Sequence, residues 1–424
     1  MNPRERVTLT LNHEEPDRVP IDLGGSPTTG MHVSTVYALR QALNLDPPGT
    51  PVKVIEPYQM LGEIAPDLRE ALGIDVVELS GSTTIFGFKK TGWKPWRLFD
   101  GTPVLVPEGF NTEPDEDGSI PMYPEGDSSV PPCARMPKGG FYFDAVDRQP
   151  PIDWKKLNVE DNLEDFLPIT NEELEYLRYE AERLYQETDK AILANFGGTS
   201  FGDIALVPGL HLKHPRGVRG VKEWYMCHVM RPDCIYKIFE RQCEIALENL
   251  EKIYKVVGDR VTAIFVTGTD FGTQRGPIMS NRTYQKLYKP FHKRINDWVH
   301  EHTSWKTFIH SCGSIEPLIR EFIEAGFDIL NPVQTSAANM DPRMLKRKYG
   351  DKITFWGGGV DTQRTLPFRT SNQVRREVCE RIRIFAPGGG FVFNTIHNVQ
   401  PRVPVENVIA MYEAVRECGV YPIK

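Results

Sequence analysis

WKTFIHSCG, residues 305–313, is a short apolar run that enters a polar turn. Residues two apart in a strand point to the same side, so His310 and Cys312 are predicted to converge where this strand ends. An imidazole and a thiolate that converge are typical zinc ligands. The alternative is a histidine and a cysteine that merely end a strand. Gly313 lets the backbone turn away, and a helix is predicted over residues 315–325.

This order of strand, turn and helix recurs along the chain. Eight apolar strands are predicted, at residues 19–25, 74–79, 191–196, 261–266, 307–309, 327–331, 353–357 and 391–394. Nearly all of them precede a predicted helix, which indicates a parallel sheet, and eight such units predict a closed (β/α)8 barrel of the TIM type. A doubly wound open sheet is the alternative, but no strand is followed by a G-x-G-x-x-G pattern.

Residues 89–147 interrupt this alternation with a segment that is rich in proline, glycine and aromatic residues. The dipeptides Asp100-Gly101 and Asp117-Gly118 indicate tight turns. The aromatic content disfavours a disordered linker. We therefore predict one barrel domain over residues 1–424, with an antiparallel β-meander inserted at 89–147.

The composition is typical of a soluble globular protein, with 424 residues, 40% of them hydrophobic, and a net charge of -7. No apolar stretch approaches the roughly 20 residues that cross a bilayer, and the chain starts without an apolar signal core. The absence of a basic block argues against a nucleic-acid partner. Seven scattered cysteines do not indicate a disulfide framework, which favours a reduced, cytoplasmic setting. The sequence leaves open whether the chain forms a homo-oligomer.

In such a barrel the active site lies at the carboxyl ends of the strands. The polar residues at or near the predicted strand ends are Asp22, Glu78, Asn195, Asp270, His310 with Cys312, Asn331, Asp361 and His397. Asp270 follows a fully apolar strand and is a candidate base, acid or metal ligand. His397 follows the last strand and is the best candidate to complete a His/Cys/His metal site. Asp22, Asn331 and Gln334 are candidate contacts to a polar substrate, and a turn role is the alternative for Asp22 and Asn331.

Three segments resemble the uroporphyrinogen decarboxylase superfamily. They are residues 1–20 (MNPRERV to NHEEPDRVP), residues 310–313 (HSCG) and residues 399–407 (VQPRVPVEN). The resemblance runs from end to end apart from residues 89–147. It implies a (β/α)8 barrel whose site lies at the carboxyl ends of the strands.

The decarboxylases of this superfamily carry an arginine-bearing run after the first strand and a catalytic aspartate after the second. The corresponding places here read DLGGS at residues 22–26 and LSGS at residues 79–82, with neither an arginine nor an aspartate after the strand. The resemblance therefore implies a barrel of this type without decarboxylase activity.

Corrinoid-dependent methyltransferases form the other branch, in which an H-x-C pair and a later cysteine bind Zn²⁺. His310 and Cys312 resemble that pair, and His397 occupies the place of the later cysteine, with Asp270 as the alternative third ligand. The resemblance implies transfer of a methyl group from a small methylated substrate to a cob(I)alamin carried by a separate protein. A methoxyaromatic substrate, and hence O-demethylation, is the leading expectation.

Two alternatives stay open. A methylcorrinoid:thiol methyltransferase of the coenzyme M type would use the metal to bind an acceptor thiol as its thiolate. A metal- or ligand-binding barrel without catalytic activity belongs to a different class of function. Both kinds of methyltransferase need a corrinoid-binding protein that reaches the barrel mouth. Residues 89–147 and 197–219 are the candidate contacts for it.

Overall fold

Fourteen strands and thirteen α-helices follow one another in the computed structural model, which describes residues 1–424. The strands are β1 (Val52–Glu56), β2 (Leu61–Gly62), β3 (Val76–Ser80), β4 (Lys94–Arg97), β5 (Pro103–Val106), β6 (Ile120–Met122), β7 (Ala134–Met136), β8 (Asp144–Ala145), β9 (Ala191–Asn195), β10 (Ala263–Thr267), β11 (Lys306–His310), β12 (Ile329–Asn331), β13 (Thr354–Trp356) and β14 (Phe391–Val392).

The helices cover the outside of the barrel and its amino-terminal end. They are α1 (Pro3–Leu11), α2 (Val33–Ala42), α3 (Pro66–Leu72), α4 (Asn171–Glu187), α5 (Val221–Met230), α6 (Pro232–Val257), α7 (Asn281–Leu287), α8 (Lys289–His302), α9 (Glu316–Glu324), α10 (Pro342–Tyr349), α11 (Thr365–Phe368), α12 (Ser371–Phe385) and α13 (Val405–Cys418). None of them combines the length and the apolar character that crossing a membrane requires.

Seven strands form one parallel sheet in the order β3, β9, β10, β11, β12, β13, β14. Residues 19–22, which we call the closing segment, complete the circle. On one side Ile21 pairs in parallel with Phe393, and on the other the Asp75 amide donates to the Ile21 carbonyl at 2.8 Å. The predicted (β/α)8 barrel is thus confirmed, and all eight predicted strands lie in its wall.

Two apolar clusters result from the alternation of side chains along the barrel strands. Inward-facing residues of the wall, among them Phe265, Phe308 and Trp356, form a cluster of 11 buried residues. Val7 and Leu11 of α1 belong to the same cluster, so this helix plugs the amino-terminal end of the barrel. Outward-facing residues join a second cluster of 92 residues between the wall and the surrounding helices. The carboxyl ends of the strands are left as the open end of the barrel.

Residues 89–147 lie between the first two full strands of the barrel wall, β3 and β9. Strands β6, β7 and β8 form an antiparallel three-stranded sheet. Strands β4 and β5 form an antiparallel hairpin, and β5 also pairs in parallel with β1. The segment therefore contributes to two sheets, one of which includes strands that precede it in the chain.

One disulfide, which the sequence analysis did not predict, joins Cys379 of α12 to Cys418 at the end of α13. The cysteine pattern is interpreted as not indicating a disulfide framework, and this single pair does not follow from it. The two cysteines lie 39 residues apart in sequence and meet because α12 and α13 pack against each other. Such pairings depend on tertiary packing, so cysteine spacing alone does not reveal them. The other five cysteines are free.

A buried carboxylate holds the closing segment in place. Asp75, which is fully buried, accepts hydrogen bonds from Arg6 at 2.7 Å, from Arg18 at 2.8 Å and from the Ile21 amide at 2.8 Å. The Arg6 side chain is only 7% exposed, so its charge depends on carboxylates for compensation. Asp75 thus ties α1, the closing segment and β3 together.

We expect Asp75→Asn to lower the free energy of unfolding by about 3–5 kcal/mol, because Arg18 loses its carboxylate and the buried Arg6 keeps only the half-exposed Asp17. Urea denaturation measures this loss. Glu175→Gln is the control, since it removes an exposed ion pair with Arg178 that is worth about 0–1 kcal/mol. Equal and small losses in both variants would contradict the role of Asp75.

Candidate functional site

Three potential metal ligands meet at the open end of the barrel. His310 ends β11, and Cys312 follows two residues later in the turn that precedes α9. Their Nε2 and Sγ atoms lie 3.4 Å apart. His397 comes from the segment after β14, and its ring centroid lies 5.3 Å from that of His310. The candidate ligand atoms of the three residues all lie within 4.8 Å of one another.

Asp270 lies beside this group, in the segment after β10. Its Oδ1 accepts a hydrogen bond from the Cys312 amide at 2.6 Å and lies 3.9 Å from Nε2 of His310. The structure therefore brings Asp270 together with the three candidate ligands. Burial raises the pKa of the Asp270 carboxyl because it disfavours the charged form.

The two imidazoles have different hydrogen-bond partners. Nδ1 of His310 faces Oδ1 of Asn331 at 2.6 Å, which leaves Nε2 free on the side of Cys312. Nδ1 of His397 accepts the Asn398 amide hydrogen at 2.8 Å, so the neutral ring carries its own hydrogen on Nε2. His310 can therefore bind a metal through Nε2 as it stands. His397 can bind one through Nδ1 only after losing the Asn398 contact, or through Nε2 only after its hydrogen leaves that atom.

Burial sets the charge states of the site. It lowers the pKa of both histidines to about 4, and the charge of His310 adds to the effect on His397. It raises the pKa of the Cys312 thiol well above its usual value, and the charge of Asp270 adds to that shift. Neutral imidazoles are the form that binds metals, while the thiol needs a nearby cation to lose its proton.

The predicted substrate contacts Asp22, Asn331 and Gln334 are buried and do not line the cavity at the open end. Asp22 accepts hydrogen bonds from the Trp356 indole at 2.8 Å and the Gly25 amide at 2.9 Å. Gln334 accepts one from the Gly313 amide at 2.7 Å. Their polar atoms thus bind protein groups, and substrate contact by these residues stays a prediction.

A cavity of about 720 Å³ extends from the candidate ligands, and only ten of its 34 lining residues are hydrophobic. His310, His397, Asp270 and Phe265 line one end of it. The acidic residues on its wall are Glu56, Glu63, Glu78, Glu180, Asp203 and Asp270, whereas the basic ones are Lys90 and Arg183. Burial raises the pKa of Asp203 to about 6 and also raises the pKa of Glu56 and Glu78.

Glu56, Lys90 and Asp203 are not predicted from the sequence, and Glu78 is placed near a strand end without a functional role. Glu56 ends β1, which lies outside the barrel wall, and the other two come from irregular segments. None of these three residues lies at the end of a barrel strand, which is where the sequence predicts functional residues. Glu78 was visible as an acidic residue in an apolar strand, and that was the one signal available. Of the other strand-end residues, Asn195 lines the cavity and Asp361 does not.

Comparisons with known proteins agree with this architecture. A solved structure of a methyltransferase from Methanosarcina mazei superposes with a TM-score of 0.56 at 14% identity, covering 98% of this chain and 99% of that one. A uroporphyrinogen decarboxylase of Legionella pneumophila (strain Corby) is 35% identical over 77 residues, which is 18% of this chain and 21% of the relative's length. The family model of uroporphyrinogen decarboxylase (URO-D) matches residues 148–418, more than half of the chain. The chain therefore belongs to the uroporphyrinogen decarboxylase (URO-D) family.

Proposed function

We propose that this protein is a methyltransferase that moves a methyl group from a small methylated substrate to a corrinoid carried by a partner protein. The observation that carries the proposal is the group formed by His310, Cys312 and His397, with ligand atoms within 4.8 Å at one end of a 720 Å³ cavity. O-demethylation of a methoxyaromatic is the reaction that we favour. The fold shared with a Methanosarcina mazei methyltransferase is consistent with it.

The donor set fits zinc in its chemistry. Two imidazoles and one thiol are typical zinc ligands, and a catalytic zinc keeps a position open for substrate beside three protein ligands. Zinc held by His310, Cys312 and His397 would supply a Lewis acid for the leaving oxygen of the methyl ether. Asp270 is the alternative third ligand, because its Oδ1 lies 3.9 Å from Nε2 of His310.

Two residues beside the candidate metal site can donate a proton to the leaving oxygen. Breaking the bond between methyl and oxygen leaves an oxyanion, which a nearby acid stabilises by donating a proton. Asp270 faces the cavity, and burial favours the protonated form of its carboxyl. The Nε2 hydrogen of His397 is a second candidate donor when that ring is not a ligand. Phe265 beside them supplies an apolar surface for an aromatic substrate.

The charge of the cavity wall distinguishes between substrate classes. Besides Asp270, five carboxyl groups line it against two basic side chains, and Arg183 already pairs with Glu180 and Glu187. Lys90, which donates to the Ser80 hydroxyl at 2.8 Å, faces the acidic Glu56 and Glu78. A polycarboxylate such as a porphyrinogen would meet like charge here, and so would an anionic acceptor thiol. An uncharged or cationic methyl donor is the better match.

The corrinoid partner must bring its cofactor to the open end of the barrel. Residues 197–219 contribute Ser200 and Asp203 to the cavity wall, and residues 89–147 contribute Lys90. Both segments thus reach the cavity from outside the barrel wall. They remain the surfaces that we propose for this contact.

We expect His310→Ala, Cys312→Ser and His397→Ala each to lower methyl transfer to a corrinoid protein by about 10²-fold or more. Each substitution removes a candidate metal ligand, and His397→Ala also removes a candidate proton donor. Methyl transfer from methoxybenzenes is followed by the corrinoid spectrum, and zinc content by elemental analysis. His302→Ala, on the exposed end of α8, is the control. Full activity in properly folded His310 and His397 variants would refute the proposal.

A second expectation concerns substrate charge. Of two methoxybenzenes of nearly equal size, the one with a carboxylate should bind at least about tenfold more weakly than the one with an uncharged carboxamide, because about 1.4 kcal/mol of repulsion has that effect. Calorimetry measures the binding, and Asp203→Asn should reduce the difference. Glu240→Gln makes the same change of charge on the exposed face of α6 and should not. Equal binding of both ligands would exclude charge selection by the cavity.

A further inference from the structure

The His310 ring is held by a single side chain on the neighbouring strand. β11 and β12 pair in parallel with His310 opposite Asn331, and the two side chains meet at 2.6 Å through Nδ1 and Oδ1. Both residues are buried, with exposures of 3% and 0%. An amide oxygen only accepts, so Nδ1 of His310 must carry the hydrogen. The neutral ring then presents the Nε2 lone pair towards Cys312.

The amide of Asn331 is itself fixed in this orientation. Its Nδ2 donates to the Trp356 carbonyl at 2.8 Å, and the Thr28 hydroxyl donates weakly to its Oδ1 at 3.4 Å. Gly357 lets the chain approach this amide, because a Cβ there would lie 3.2 Å from Nδ2. A flipped amide would set its oxygen against the Trp356 carbonyl, which has no hydrogen to donate. The surroundings therefore specify which atom faces the ring.

Trp356 is anchored in turn to the closing segment. Its indole donates to Oδ2 of Asp22 at 2.8 Å, and Oδ1 of Asp22 accepts the Gly25 amide hydrogen. The contacts thus connect β11 to β12, β12 to β13, and β13 to the closing segment on the other side of β14. The orientation of one imidazole depends on a series of buried hydrogen bonds across half of the barrel.

We propose that Asn331 is a positioning residue of the metal site, which fixes the tautomer and the plane of His310 so that Nε2 is available to the metal. This inference rests on the proposed function, in which His310 binds zinc. A metal-binding histidine usually donates its other ring N–H to an oxygen acceptor, which orients the ring and raises its basicity as a ligand. Asn331 provides that acceptor from within the barrel wall and has no need to touch the substrate.

Two substitutions separate this role from a purely structural one. Asn331→Leu removes both the acceptor for His310 and the donor for Trp356, whereas Asn331→Asp removes the donor and keeps an oxygen acceptor. We expect Asn331→Leu to weaken zinc binding by about 10- to 100-fold and Asn331→Asp to stay within about threefold of the wild type. Competition between the protein and a chromophoric zinc chelator measures both affinities without any assay of activity.

Asn407→Leu is the matched control, because Asn407 is a buried asparagine of α13 that donates to the carbonyls of Leu366 and Arg369. It should lower stability and leave zinc affinity unchanged. For the zinc-free wild type, ¹⁵N NMR of the histidine rings should assign the hydrogen of His310 to Nδ1, with His310→Gln identifying the signal. That measurement decides the question if Asn331→Leu does not fold.

The outcomes are distinguishable. Wild-type zinc affinity in folded Asn331→Leu, equal losses in the Leu and Asp variants, or a His310 hydrogen on Nε2 would each overturn the role of Asn331 alone. A wild-type protein that binds no zinc would overturn the metal site and this inference together. The expected pattern, with loss in Asn331→Leu only, supports the positioning role.

Discussion

The structure depends on the ion pairs that Asp75 makes with Arg6 and Arg18. A (β/α)8 barrel needs eight wall segments, and the closing segment is too short to be held by a regular ladder of hydrogen bonds. The buried carboxylate compensates for this, because it binds the Ile21 amide and two arginines at the same time. Once the wall is closed, the carboxyl ends of all its strands face one space. The candidate site lies at that end of the barrel.

The polar residues at the open end of the barrel differ in whether they line the cavity. His310, His397 and Asp270 line the cavity, whereas Asn331, Gln334 and Asp22 lie behind them and bind protein atoms. Buried polar groups need partners. Asn331 contacts His310 directly, Gln334 accepts the Gly313 amide hydrogen next to Cys312, and Asp22 binds Trp356, whose carbonyl in turn accepts from Asn331. The polar residues at the strand ends therefore fall into two groups. One group lines the cavity and can contact a ligand, and the other is buried and binds protein atoms.

Much of the fold could be predicted from the sequence, because the alternation of apolar strands and amphipathic helices is a local property. The convergence of His310 and Cys312 follows from the two-residue period of a strand, and it was predictable for the same reason. The meeting with His397 required the barrel topology as well. Which atom of Asn331 faces His310, and the pairing of Cys379 with Cys418, depend on side-chain packing between distant segments. Single-sequence patterns contain no information about such contacts, and Glu56 and Asp203 were missed for this reason.

The closing segment has a consequence for how the chain is synthesised. Ile21 needs Phe393 as its neighbour, and Val19 donates its amide hydrogen to Gly419. The chain must be synthesised as far as Gly419 before these contacts can form, although the closing segment emerges first. Until β14 has been made, the growing sheet keeps an unpaired edge that can attract other strands. Closure of the barrel wall is therefore a late step, because the two segments that pair there lie far apart in the sequence.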